Sequence, residues 1–172
     1  MGLELKKRLK KISYTLRHKK AFLKVEKQLR GRNTLRGYLH DIDKPFLYLA
    51  LWIKYEDIQK IHRKNSKHHV RNNLVKTKDD LVDTIIDWEC ARITKPDKPL
   101  NAYETLLKFY PDKKDEFLPI IRELLPHQIK AACIKEKYRV LSERLRFNNQ
   151  AFGETYPSKA PFVHNLRAAM DR

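Results

Sequence analysis

Glycine is scarce in this chain of 172 residues: Gly2, Gly31, Gly37 and Gly153 are the only four. So few leave little room for tight hairpins, and neither a Walker-type nor a Rossmann-type glycine pattern is present. Cysteine is nearly as rare. Cys90 and Cys133 lack the CxxC spacing of a metal or redox motif, which argues against a disulfide scaffold and fits a reducing compartment. Long apolar runs are missing too, none approaching the ~20 residues that cross a bilayer. The basic N-terminal segment has no apolar stretch of the signal-peptide kind. The expectation is a cytoplasmic protein without a membrane span.

Acidic residues are also few. Against 21 Asp and Glu stand 38 Lys and Arg, a formal charge of +17. A charge of that size attracts polyanions, so nucleotides, other phosphorylated anions and nucleic acid are the expected partners. The basic residues are spread along the chain, with a denser stretch over residues 6–32. At 34% charged and 41% apolar, the chain is long enough for one domain with a single core.

The apolar pattern is helical throughout. Leu5, Leu9, Ile12, Leu16, Phe22, Val25 and Leu29 recur at helical spacing over residues 3–30, and Gly31 suits a left-handed stop. A second helix is predicted from Asn33 or Thr34 into His40-Asp41. A third, with Asp43 as N-cap and Pro45 as its first residue, is predicted to run unbroken to Ile61. Residues 63–77 read as a polar loop or short broken helix. Thr77 caps a helix over 78–94, residues 95–99 form a turn, a short helix passes Tyr103 and Leu107, and another covers 113–125. Pro126 opens a last long helix, with Ile129, Ala132, Cys133, Tyr138, Leu141 and Leu145 on its apolar side. From Asn148 the pattern fades. The reading is all-α, with one helical domain over 1–147 and an extended or partly disordered tail over 148–172.

The chemistry-bearing residues gather in the first half. His18 stands alone, His40-Asp41 are adjacent, His62, His68 and His69 cluster, and Asp87 follows Ile85-Ile86. Imidazole and carboxylate together suit divalent transition ions, and such an ion acidifies water for hydrolysis. Asp87 is the most telling member, because a bare carboxylate beside the apolar face of its helix needs a cation for a partner. The simpler reading of each residue alone is a packed or solvated side chain. As a set, His18, His40, Asp41 and Asp87 point to a metal.

One His, then His-Asp, then further His, then Asp on consecutive helices resembles the HD superfamily of metal-dependent phosphohydrolases. More closely, His40-Asp41-Ile42-Asp43-Lys44, the His62 and His68-His69 cluster and Asp87-Trp88 resemble a family of small, uncharacterised HD-like proteins of phages and bacteria. The likeness covers about residues 14–110. It implies an all-α fold and a mono- or dinuclear site, with His18, His40, Asp41 and Asp87 as core ligands. His62 and His69 would serve a second ion, His68 being the alternative to His69, and Lys44 would face the substrate phosphate. Two departures stand out: Asp43 takes the place of the family's serine, and the histidine cluster is spaced one residue longer.

The chemistry then expected is hydrolysis of a nucleotide or related phosphate ester. Asp41 and Lys44 are the catalytic candidates, and Lys44, Arg63 and Arg92 the candidates for binding phosphate. Trp88 and Tyr48 are aromatic enough to stack a base but at helical spacing suit a core. One or two ions fit the donors, and Mn, Fe, Mg, Zn, Co and Ni are not separated. Two other readings stay open. If His62, His68 and His69 belong to a mobile polar loop, a single ion is held. If the metal is structural or vestigial, the basic surface, including Arg144, Arg146, Lys159, Arg167 and Arg172, suits a non-catalytic protein binding nucleic acid or a partner.

Overall fold

A computed structural model of the protein describes residues 2–151 apart from 73, 96, 98 and 99, with side chains to 146. The helices are α1 (Gly2–Arg30), α2 (Leu35–Leu39), α3 (Asp43–Leu49), α4 (Tyr55–Asn65), α5 (Lys78–Thr94), α6 (Ala102–Phe109), α7 (Lys114–Leu124) and α8 (Pro126–Ala151). A 3-10 turn, Pro111–Lys113, joins α6 to α7. Among the described residues there is no strand, so the fold is all-α as expected. No described helix is long and apolar enough to cross a membrane.

α5 is the centre of the first compact unit, Met1–Ile129. Val82, Ile85, Ile86, Trp88 and Cys90 are buried, and so are Asp80, Asp83, Thr84 and Glu89 between them. A helix covered on so many sides belongs inside a domain and not on its surface. α1 packs along it, and α6 and α7 close the other side. Phe22 and Val25 of α1, Leu106 of α6, and Phe117, Ile120 and Ile121 of α7 complete the core with Val70. Two capping boxes start these helices: Thr77 with Asp80 opens α5, and Asn101 with Glu104 opens α6. Gly31 ends α1 at φ 76, the left-handed stop its sequence position suggests.

The packed stripe of α1 differs from the leucine stripe expected. Leu5, Leu9 and Leu16 are exposed, whereas Arg8, Thr15, His18, Phe22, Val25 and Glu26 are buried. Arg8 accounts for the difference. Its guanidinium donates to the carbonyls of Tyr48 (3.3 Å), Ala50 (3.2 Å) and Ile53 (2.6 Å). Capturing those carbonyls also explains why the predicted third helix breaks into α3 and α4 across residues 50–54. An oxygen bonded to Arg8 is satisfied without a further helical turn. The helix also starts earlier than expected: Ile42 is its N-cap and Asp43 lies in its first turn.

Gly37 is a close-approach position. A Cβ there would overlap the carboxylate of Glu26. Glu26, fully buried, accepts from the Thr34 backbone N–H (3.2 Å) and hydroxyl (2.6 Å) and so docks the start of α2 on α1.

The second compact unit runs from Lys130. Its described part is the remainder of α8, on which Ile134, Tyr138, Leu141 and Leu145 are exposed. The helix continues to Ala151, so the irregular tail expected from residue 148 does not start before 152. The rest of that tail, with Lys159, Arg167 and Arg172, lies outside the described residues.

Candidate metal centre

Six segments converge beside the core, counting α3, which brings Asp43. α1 contributes His18, the turn after α2 His40 and Asp41, α4 His62, the loop behind it His68 and His69, and α5 Asp87. Their donor atoms form overlapping groups: His18, His40 and Asp87; His40, Asp41 and His68; Asp41, Asp43 and His62; and His62, His68 and His69. Within each group the atoms all lie within 4.8 Å of one another. Shared members make the groups a continuous row, with His18 and Asp87 at one end and His62 and His69 at the other.

The distances along the row are short. His18 Nε2 lies 2.7 Å from Asp87 Oδ1, and His40 Nε2 lies 3.6 Å from the same oxygen. His40 Nε2 is 3.7 Å from Asp41 Oδ2. Asp41 Oδ1 is 3.1 Å from His62 Nε2 and 3.4 Å from His68 Nε2. Nearly all of these groups are out of water. His18, His40, Asp41 and His62 are buried, and His68 and His69 half-buried.

The decisive observation is which atoms are unpaired. His40 Nε2, Asp41 Oδ1, His62 Nε2, His68 Nε2 and His69 Nε2 are all buried without a hydrogen-bond partner. Folded proteins leave few such atoms, because each costs about 1–3 kcal/mol. Five orphaned donors and acceptors aimed at one another fit a shared cation well.

Neighbouring side chains set the direction of each ring. His62 Nδ1 meets Asp43 Oδ2 at 2.7 Å and Ser66 Oγ at 3.2 Å, which leaves Nε2 turned toward Asp41. His40 stacks on Phe22, ring centroids 3.8 Å apart. His18 Nδ1 lies 3.3 Å from Thr94 Oγ1, whose own proton goes to the Cys90 carbonyl (2.9 Å). Thr94 can therefore only accept from His18 Nδ1, which turns Nε2 onto Asp87 Oδ1 at 2.7 Å. Holding one ring nitrogen to free the other is the usual support of an imidazole ligand. Asp41 sits at φ 57, a left-handed backbone that aspartate tolerates better than most residues, at the middle of the row.

Charge in the centre follows from the same contacts. Burial opposes ionisation of Asp41, yet the imidazoles of His62 and His68 and the charge of Lys44 hold its carboxyl far below the usual range. Asp87 behaves alike: His18 and His40 outweigh its burial. Burial, then the charge of His68, pushes His69 down to about 3, so its ring is neutral near pH 7 with a lone pair to give. Burial likewise lowers His40. His62 is displaced upward, since the carboxylates of Asp41 and Asp43 outweigh its burial.

Most residues singled out in the sequence meet here. His18, His40, Asp41, His62, His69 and Asp87 all belong to the row, as does His68. Lys44 donates to Asp41 Oδ2 (2.6 Å) and, with Arg63, lines the cleft above the centre. Arg92 does not. It lies on another side of α5, exposed, and donates to Glu89 Oε2 (3.1 Å), while Glu89 Oε1 accepts from the Ala102 backbone N–H (2.6 Å) and Gln128 (2.9 Å). Trp88 stacks on Tyr110 (5.3 Å) and meets Phe117 (5.0 Å), and buried Tyr48 pairs with Gln59, so both are packing residues. Sequence reasoning misses the supporting residues Thr94 and Ser66, and reads Asp43 only as a cap. Ser66 follows His62 by one helical turn, a signal that could have found it; Thr94 and Asp43 offer no local one.

Comparison with protein-family models, with curated proteins and with solved structures finds no match to this chain.

Proposed function

We propose that the protein is a metal-dependent phosphohydrolase of the HD kind, acting on a nucleotide or related phosphate ester. The five orphaned buried atoms carry this reading. His18, His40, Asp41 and Asp87 would hold one ion, and Asp41, with His62 and His68 or His69, a second. A donor set this rich in imidazole favours Mn, Fe, Co, Ni or Zn over Mg. Such an ion supplies Lewis acidity toward a phosphoryl oxygen and a water acidic enough to give a nucleophile near neutral pH.

The chain's own groups do the rest. Asp41, ionised and central, offers Oδ1 toward His62 and His68 and keeps Oδ2 on Lys44. Lys44 brings a positive charge to the edge of the cleft, where charge builds on a phosphoryl group in the transition state. Arg63 lines the same cleft and suits a substrate phosphate. Buried imidazoles and carboxylates supported from behind by Thr94, Asp43 and Ser66 need little rearrangement to bind.

The test is metal content of the purified chain together with hydrolysis of bis-p-nitrophenyl phosphate in Mn²⁺, Fe²⁺ or Co²⁺. Bound metal and turnover, both lost in Asp41→Ala, are expected. A folded chain that takes up no divalent ion and hydrolyses nothing overturns the reading, and salt-sensitive nucleic-acid binding in that chain would favour the non-catalytic alternative.

A further inference from the structure

The cleft above the metal centre is large, about 1100 Å³. Clefts that enclose one small ligand run from roughly 300 to 1,000 Å³, so this one stands at the upper end of that range. Among the described residues Asp87 is the one acidic side chain on its wall, while lysine and arginine recur around it.

Lys44 aside, those cations come from two sets of segments, α1 with the residue after α5, and α4 with the loop behind it. In the first set, Lys11 and Tyr14 project from α1, and Tyr14 stacks beside His18 with ring centroids 6.0 Å apart. The Tyr14 hydroxyl reaches Thr94 (3.4 Å), and Lys95 Nζ lies 5.8 Å from the Tyr14 ring centroid. In the second set, Arg63 and Lys64 follow His62 directly, and Arg71 lies two residues beyond His69. Arg71 donates to the Phe109 carbonyl (3.1 Å), and the Phe109 ring is exposed on the cleft wall. Each set thus brings exposed cations and an aromatic ring to the cleft wall.

We infer that the cleft takes an internal stretch of single-stranded nucleic acid, running across the metal centre with backbone phosphates and bases held on both sides. This rests on the phosphohydrolase reading for what happens at the middle of the strand, but the binding itself does not. Lys11, Lys44, Arg63, Lys64, Arg71 and Lys95 all line the cleft, more cations than the phosphate of one mononucleotide can engage. A strand engages both sets, because its phosphates continue past the centre in each direction. Unpaired bases have free faces for Tyr14 and Phe109, whereas bases inside a duplex do not. Cations serving the backbone and aromatic rings serving the bases, without base-edge donors, is the pattern of sequence-tolerant strand binding.

The experiment measures binding of the full chain to labelled oligothymidylate of about twelve nucleotides, a site size typical of such grooves, in metal-free buffer with chelator. A thymidine trinucleotide and a duplex of equal length are the comparisons. The longer strand is expected to bind at least tenfold tighter than either. Lys95→Glu and Arg71→Glu should each weaken it about fivefold or more. Each should also flatten the log–log salt dependence by about 0.7 for every phosphate that the variant no longer neutralises. Lys60→Glu, at an exposed lysine outside the cleft, should do much less.

Equal affinity for strand and trinucleotide overturns the inference, as does equal affinity for the duplex. So does equal damage from Lys60→Glu, which would mean mere adhesion of a basic chain. Measured metal content separates the two readings. A chain that discriminates in this way yet binds no metal refutes the phosphohydrolase and keeps the strand site. A chain that holds metal and cleaves bis-p-nitrophenyl phosphate but fails the comparisons keeps the enzyme and loses the strand.

Discussion

His18 Nε2 and Asp87 Oδ1 stand 2.7 Å apart, and Thr94, on the far side of the imidazole, decides what that contact is. Because the Thr94 hydroxyl spends its proton on Cys90, His18 must present a lone pair to a carboxylate unless a proton or a metal ion lies between them. Thr94→Val removes the acceptor and frees the ring to turn. Metal affinity, titrated with Mn²⁺ or Zn²⁺, is expected to fall about 10–100-fold, the usual cost of losing a ligand's supporting partner. Thermal stability of the metal-free chain should change little. Unaltered affinity would mean that His18 is held by packing and not by Thr94.

Arg8 is 1% exposed and serves three carbonyls, Tyr48 at the end of α3 and Ala50 and Ile53 between α3 and α4. Arg8→Met keeps most of the stem and removes every donor. Leaving those oxygens unpaired should cost about 2–4 kcal/mol, read from urea unfolding. A loss below about 0.5 kcal/mol would show that water replaces the guanidinium.

Gly37 has no space for a methyl group against the Glu26 carboxylate. Gly37→Ala must push Glu26 off Thr34 or move α2, a strain of about 1–3 kcal/mol. Since α2 leads into His40-Asp41, the variant should also bind metal more weakly. Calorimetry and metal titration on the same sample check both; an unchanged melting temperature contradicts the packing described.

Asp80 gives a pH signature away from the histidine–aspartate row. Burial alone would raise its pKa, but hydrogen bonds from Thr77 and Arg36 hold it down at about 2. An ordinary aspartate titrates near 3.9 when unfolded. Between those values the unfolded chain binds more protons, so stability rises with pH there. This contribution is complete above about pH 4 and lost as the pH falls through about 2. Asp80→Asn keeps an acceptor for Thr77 but removes the anion that Arg36 faces, for about 0.5–2 kcal/mol at pH 7. The gap from the parent should close on acidification, as followed by unfolding at stepped pH. A gap that stays constant down to pH 2 would deny Asp80 this role.

The two halves of α1 show what can be read without a structure. Phe22 and Val25 mark the buried face correctly, since apolar residues at helical spacing pack wherever a neighbour exists. Leu9 and Leu16 have the same spacing and lie exposed, because in that half the neighbour is the end of α3, which meets α1 through Arg8. Periodicity records which residues would profit from burial; it holds no record of the partner. Arg92 illustrates the same limit, its place on α5 being settled by Glu89, which also caps α6. By contrast, the Thr77 cap of α5 is legible, because its partner Asp80 is three residues away.

What the sequence by itself determined is local and chemical: helices without strands, a charge that draws anions, and a set of imidazoles and carboxylates able to bind metal. Only the tertiary structure decided that these donors meet, in what order, and which of their atoms are left unpaired. His18 and Asp87 are 69 residues apart, and Asp43 and His62 are 19 apart. Contacts over such separations arise from the packing of α5 and α3 on α1, of α4 on α3, and from the turn after α2. No spacing along the chain encodes them, because ligand geometry is a property of side-chain atoms brought together by a shared core.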